Sequence, residues 1–164
     1  MFTGIIFFIS DILGTPFSLY DTFVIEERFG FNKTTISTFI KDKLKSYLLI
    51  VIIGGGMLSL MVWIYQNTGN YFWILVWGAV SAFSIFMSVF YTSIIVPLFN
   101  KLTPLQEGEL KSAIAEYCNK VDFKLNNIFI IDGSKRSTST NAYFSGLGSR
   151  KKIVLYDTLI EKHT

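Results

Sequence analysis

Two uncharged apolar runs, each long enough to cross a bilayer, precede a closing stretch of short β-branched and aromatic segments. Together they predict a membrane α-helical protein with two complete transmembrane helices, amphipathic helices and a small cytoplasmic α+β domain. The runs are Tyr47 to Tyr65, YLLIVIIGGGMLSLMVWIY, and Phe72 to Val96, FWILVWGAVSAFSIFMSVFYTSIIV. Composition agrees: hydrophobic residues make up 51% of the chain and charged residues 16%, with mean hydropathy +0.44, whereas a soluble domain carries about 25% charged residues. The formal net charge of +3 is small and scattered, which argues against nucleic acid as a partner. The one cysteine, Cys118, excludes an intramolecular disulfide and reads most simply as a small hydrophobe in a helix core.

The chain divides by composition into residues 1–45, a partial membrane helix and an amphipathic cytoplasmic segment; 46–96, the helical hairpin; and 97–164, the soluble part. Met1 to Ser10 is apolar but too short to span about 30 Å of hydrocarbon. It lacks the basic n-region and cleavage site of a signal peptide, and reads as the tail of a membrane helix that begins upstream. Gly14-Thr15-Pro16 predicts a break, after which Phe17, Tyr20, Val24 and, less regularly, Phe23 recur at helical spacing up to a stop at Gly30. Asn32 to Thr35 opens a further helix with Ile36, Phe39, Ile40 and Leu44 on one face. Lys41, Lys43 and Lys45 flank that face, as in a helix lying in the headgroup region.

Gln66 to Asn70 is a short uncharged turn, so the two spans form an antiparallel hairpin, with Trp63, Tyr65, Tyr71, Phe72 and Trp73 as an aromatic belt at its tip. Arg28, Lys33, Lys41, Lys43 and Lys45 precede the first span and Lys101 follows the second, which places both flanks in the cytoplasm. Gly54-Gly55-Gly56 lies inside the first span with no following Lys-Ser/Thr, so helix packing is a better reading than a phosphate loop. Ser81, Ser84 and Ser88 share a face of the second span, where they either pack against helices or line a polar cavity. Neither span contains an ionisable residue, which weakens a transporter reading.

Beyond Pro97, Thr103-Pro104-Leu105-Gln106 reads as a capping box with proline at the first helical position, opening a helix to about Val121. Leu110, Ile114, Tyr117 or Cys118, and Val121 form its apolar face. Three strands follow, at Ile128–Ile131, Ala142–Phe144 and Ile153–Tyr156, the last two forming a hairpin; another helix starts near Thr158. The polar stretch Ser134 to Asn141 is an exposed loop leading into an edge strand. Such an edge can accept a peptide as an added strand.

Four blocks carry a family resemblance: PFSLYDTFVIEERFGFNKTT (Pro16 to Thr35), PLFNKLTPL (Pro97 to Leu105), IDGSKRSTSTNAYFSGLG (Ile131 to Gly148) and KKIVLYDTL (Lys151 to Leu159). In order and spacing they resemble the integral-membrane CAAX prenyl proteases, zinc metallopeptidases that clip after a prenylated cysteine; the HtpX-like membrane peptidases are more distant relatives. The resemblance implies a zincin-like peptidase with substrate held on the strand Asn141-Ala142-Tyr143-Phe144. The backbone of Ala142 and the side chain of Asn141 would contact substrate, and Tyr143 or Phe144 would supply an apolar wall. Two departures limit what carries over: Phe29 and Ser139 stand where some relatives have histidine.

In the family, zinc is held by the two histidines of a His-Glu-x-x-His helix and a distant glutamate, with the motif glutamate as general base. That motif does not occur up to Thr164, so its residues would lie beyond it, and the 164-residue chain alone is expected to be inactive, with no catalytic residue or metal ligand of its own. His163 and Cys118 belong to no zinc motif, and Ser145 lacks the first glycine of a serine-hydrolase elbow. The implied partners are a peptide or protein substrate, prenylated or not, and membrane lipid. A non-enzymatic reading, in which the hairpin anchors a peptide-binding or scaffold module, preserves the edge strand and needs no zinc. A downstream His-Glu-x-x-His would eliminate it.

Overall fold

The computed structural model describes residues 2–163, the side chains of residues 3, 149 and 163 excepted. Helix α1 (Phe2–Tyr20) continues through a π-helical turn, Asp21–Glu26, to Arg28, so the predicted break at Gly14-Thr15-Pro16 does not occur. Pro16 removes one backbone donor, but the Thr15 hydroxyl bonds back to the Asp11 carbonyl at 2.6 Å, an adjustment by which apolar helices accommodate an interior proline. The stop at Gly30 is real: its φ is +72°.

The second correction concerns the lysine-rich segment. Helix α2 (Ile36–Leu49), capped by the Thr35 hydroxyl, passes through a π-helical turn, Ile50–Gly54, into helix α3 (Gly55–Thr68) without interruption. One rod of about 50 Å cannot both lie in the headgroup plane and span, so Lys41, Lys43 and Lys45 sit on an extension of the first span, not on a separate interfacial helix. A change in composition near residue 46 marks no breaker in the backbone. The boundary drawn at 45/46 therefore falls inside a helix.

Gly69, at φ +52°, turns the chain into helix α4 (Phe72–Ile94). Tyr65 and Phe72 meet edge to face with ring centroids 5.2 Å apart at the tip. At the other end Lys45 Nζ donates to the Leu98 carbonyl at 2.7 Å. The pair is the expected antiparallel hairpin. Helix α1 and its π-helical turn lie along the rod too: Phe23 meets Phe39 edge to face at 5.9 Å, Lys43 pairs with Asp11 at 3.0 Å, and the Tyr47 hydroxyl donates to Asp11. A Cβ on Gly55 or Gly56 would touch nothing among the described residues, and one on Gly54 would reach Ile50 of the same rod at 3.9 Å.

The short helix α5 (Val96–Phe99) carries Pro97 in its first turn and leads to strand β1 (Leu102–Pro104), where the sequence predicted a capping box. Strand β1 pairs antiparallel with strand β2 (Leu125–Ile131), and Pro104, on a sheet edge, costs the ladder no donor. Burying Leu105 against Ile128 and Leu155 outweighs the local cap signal. Helix α6 (Glu109–Lys120) then begins from Gly108, and Cys118 is 4% exposed in it, as a small core residue.

Strand β3 (Ala142–Ser145) and strand β4 (Lys151–Tyr156) are the expected hairpin, and β4 also pairs parallel with β2, giving the order β1-β2-β4-β3. One sheet face packs Ile131 and Val154 against Val96 at the foot of the membrane helices. The other packs Ile128 and Leu155 under α6 and helix α7 (Asp157–His163). A segment of about 60 residues is marginal as an independent core; Val96, buried in the sheet, shows where it gains support. The result is a membrane-helical region joined to a small α/β region.

Candidate substrate-binding edge

Strand β3 is an outer strand of the sheet. Its pairing runs Ala142 to Leu155, Tyr143 to Val154 and Phe144 to Ile153, and the Asn141 carbonyl accepts the Tyr156 N–H at 3.1 Å. Antiparallel ladders alternate, so the main-chain groups of Asn141 and Tyr143 face β4 while those of Ala142 and Phe144 face the open edge. The main-chain N–H and C=O of Ala142 therefore point away from β4. Asn141 behaves differently from a free contact residue: its Oδ1 accepts the Ala142 N–H at 2.8 Å, holding the donor an added strand would use.

The two aromatic side chains divide between the faces. Phe144 is 69% exposed and meets Phe123 edge to face at 6.0 Å. With Ile114, Tyr117, Val121 and Ala142 they line an apolar groove of about 540 Å³ between α6 and β3. Tyr143 points the other way, into the cluster around Val154. Burial raises its phenol above the ordinary value of 10, an effect the neighbouring Thr92 hydroxyl partly offsets. Thr92 is 1% exposed, and its hydroxyl has no hydrogen-bond partner among the described residues. Phe144 offers its ring to the groove, and Tyr143, which packs on the Val154 cluster, also borders it.

At its far end β3 meets the membrane helices. Ser84, Ser88 and Tyr91 of α4 line an open groove of about 480 Å³ with Ser145, Gly146 and Leu147. Two of the three serines singled out by spacing line it; Ser81 does not. Lys152 Nζ donates to Ser93 Oγ at 2.6 Å and the Arg150 guanidinium lies 5.5 Å over the Phe90 ring, binding the hairpin to α4.

The loop before β3 is not simply exposed. Lys33 N–H donates to the Arg136 carbonyl at 2.9 Å and Thr138 N–H to the Phe31 carbonyl at 3.0 Å, so the loop pairs with the segment after α1. From the other side Thr158 Oγ1 donates to the Ser139 carbonyl at 2.9 Å and Lys162 Nζ to the Thr138 carbonyl at 2.8 Å. Sequence reasoning missed Arg136 and its partner Asp42, joined at 2.6 Å. The available signal was Asp42 itself, a lone acid among Lys41, Lys43 and Lys45.

Among the described residues no group of three or more His, Cys, Asp or Glu side chains could hold a metal ion. The thiol of Cys118 is free and buried. The His163 side chain and Thr164 lie outside the described residues. These residues do not fit a zinc site, and no catalytic step is assigned to them.

Comparison with known proteins gives the same picture. Residues 1–101 match a family model described as CAAX prenyl protease N-terminal, five membrane helices, and residues 104–164 match peptidase family M48. The chain is 46% identical over 153 residues to the CAAX prenyl protease 1 homolog of Oryza sativa subsp. japonica, covering 93% of this chain and 36% of that protein. To the Homo sapiens homolog it is 42% identical over 155 residues, covering 94% and 33%. The crystal structure of S. mikatae Ste24p superposes with a TM-score of 0.91 at 43% identity, over 97% of this chain and 38% of that one. The chain thus spans about a third of the length of the curated relatives it matches. The membrane-helical rods, the sheet seated at their foot and these matches lead to one conclusion: the chain belongs to the CAAX prenyl protease family of M48 membrane peptidases.

Proposed function

We propose that this chain forms the membrane scaffold and substrate-holding edge of a zinc metalloendopeptidase that cleaves prenylated protein C-termini. The observation that carries the reading is the open edge of β3, whose outward Ala142 and Phe144 main-chain groups flank an apolar groove. An extended peptide adds there by main-chain hydrogen bonds, with side chains entering the groove. Zinc belongs to the longer protein and is held outside the residues described. The distribution of lysine and arginine supports a cytoplasmic sheet and multi-pass insertion.

Depth along the helix supports a water-accessible chamber beside this edge. Ser84 and Ser88 lie about 18 and 24 Å along α4 from Phe72 by helical rise, yet they face the β3–β4 turn. Non-helical backbone at bilayer depth is tolerated only against protein or water. In a Cys118→Ala background, Ser88→Cys in sealed-vesicle or detergent preparations should react with a polar maleimide on the order of tenfold faster than Ile85→Cys. Equal rates would remove the chamber.

The activity is tested with the full-length protein in proteoliposomes and a farnesylated C-terminal peptide. Cleavage should occur, stop on treatment with a zinc chelator and return on adding zinc. Cleavage that persists without zinc, or none with zinc bound, would overturn the assignment.

A further inference from the structure

Arg136 ties together parts of the chain that are remote in sequence. Its Nε and Nη2 donate to Asp42 Oδ2 at 3.0 and 2.6 Å, and Nη2 also donates to the Phe99 carbonyl at 2.7 Å. Its own carbonyl accepts from Lys33 N–H and, at 3.2 Å, from the Thr34 hydroxyl. One residue thereby contacts the membrane rod, the end of the second span and the segment after α1. The Arg136 and Asp42 side chains are each 23% exposed, and Arg136 Nη1 is buried without a partner among the described residues. A half-desolvated guanidinium with an idle donor depends on its one carboxylate, because removing it leaves a buried charge uncompensated.

What Arg136 holds is the approach to the edge strand. Between Arg136 and Ala142 the main chain is fixed at Thr138, Ser139 and Asn141 by Phe31, Thr158 and Tyr156. The Thr158 and Tyr156 contacts make this segment one body with the sheet, so the Arg136–Asp42 bond couples that body to the rod. We propose that Arg136 and Asp42 are positioning residues: as a latch in which two guanidinium donors converge on one carboxylate oxygen, they join the first span's rod to the sheet and fix the height of β3 relative to the membrane helices. That height decides where along a bound strand the scissile bond falls. The inference rests on the peptidase reading above.

The test uses full-length protein and the farnesylated peptide. Asp42→Asn keeps the shape and loses the charge; Arg136→Lys keeps the charge and loses the fork. Each should lower kcat on the order of 10- to 100-fold, the effect expected of a misplacement of about 1 Å. Zinc content and the yield of monodisperse protein should stay at the wild-type level, and Asp42→Glu should retain most activity. The double variant Asp42→Asn/Arg136→Gln should be no worse than Asp42→Asn, since one latch is lost either way. A kcat for Asp42→Asn within about twofold of wild type, or losses that multiply in the double variant, would overturn the proposal. So would a fall in kcat matched by loss of folded protein. If Asp42→Asn does not fold, Arg136→Lys carries the same comparison. Wild-type protein that fails to cleave overturns the peptidase reading itself, whereas active wild type with unaffected variants overturns only the latch.

Discussion

Ala142→Pro in the full-length protein is expected to lower kcat/KM for the farnesylated peptide by about 10- to 100-fold, the equivalent of leaving one desolvated substrate acceptor unpaired. The Ala142 N–H faces the open edge, and its bond in the structure is to Asn141 Oδ1. Proline there removes a donor from the edge without touching the ladder to β4, which runs through Asn141 and Tyr143. Thermal stability in detergent should move little. Tyr143→Pro is the contrast, because it cuts the ladder and should reduce stability as well. Should Ala142→Pro cleave at the wild-type rate, peptide addition to this edge is wrong.

Gly146→Val is expected to destabilise the β3–β4 hairpin by about 3 kcal/mol or more, the upper range of backbone strain at a single residue. Gly146 sits at φ +100°, and a Cβ there would lie 2.3 Å from the Arg150 carbonyl oxygen. Both the conformation and the space exclude a side chain, and the obstacle is backbone that cannot rotate away. Gly148→Val shares the positive φ, at +59°, but a Cβ there meets nothing, so its cost should be smaller. Comparing the two melting temperatures separates steric closure from backbone strain. Equal shifts would show that the approach to Arg150 does not matter. Because Gly146 and Leu147 also line the open groove with Ser88, Gly146→Val should reduce activity more than its stability loss alone explains.

Helix existence, the hairpin between the spans, three of the four strands and the edge position of Asn141 to Phe144 were all legible in the residues. Each rests on a pattern read within a short window: an uncharged run, an aromatic belt, an alternation bounded by glycine. The misplaced boundaries came from the same locality. Gly14-Thr15-Pro16 looks like a break because proline removes a donor, but in an apolar helix a neighbouring hydroxyl offers a local adjustment. Thr103 to Gln106 looks like a cap, and the buried contacts of Leu105 with Ile128 and Leu155 override it.

The sequence by itself determined that this chain enters a membrane, because burying a backbone in hydrocarbon permits so few solutions that composition and run length nearly suffice. It also determined a turn-rich β segment with a strand suited to an edge. Only the tertiary structure decided that α2 and α3 are one rod, that β2 and β4 lie parallel, and that Arg136 reaches Asp42 across 94 positions of chain. Those features depend on which surfaces meet once local elements exist, and no periodicity records a partner so far away.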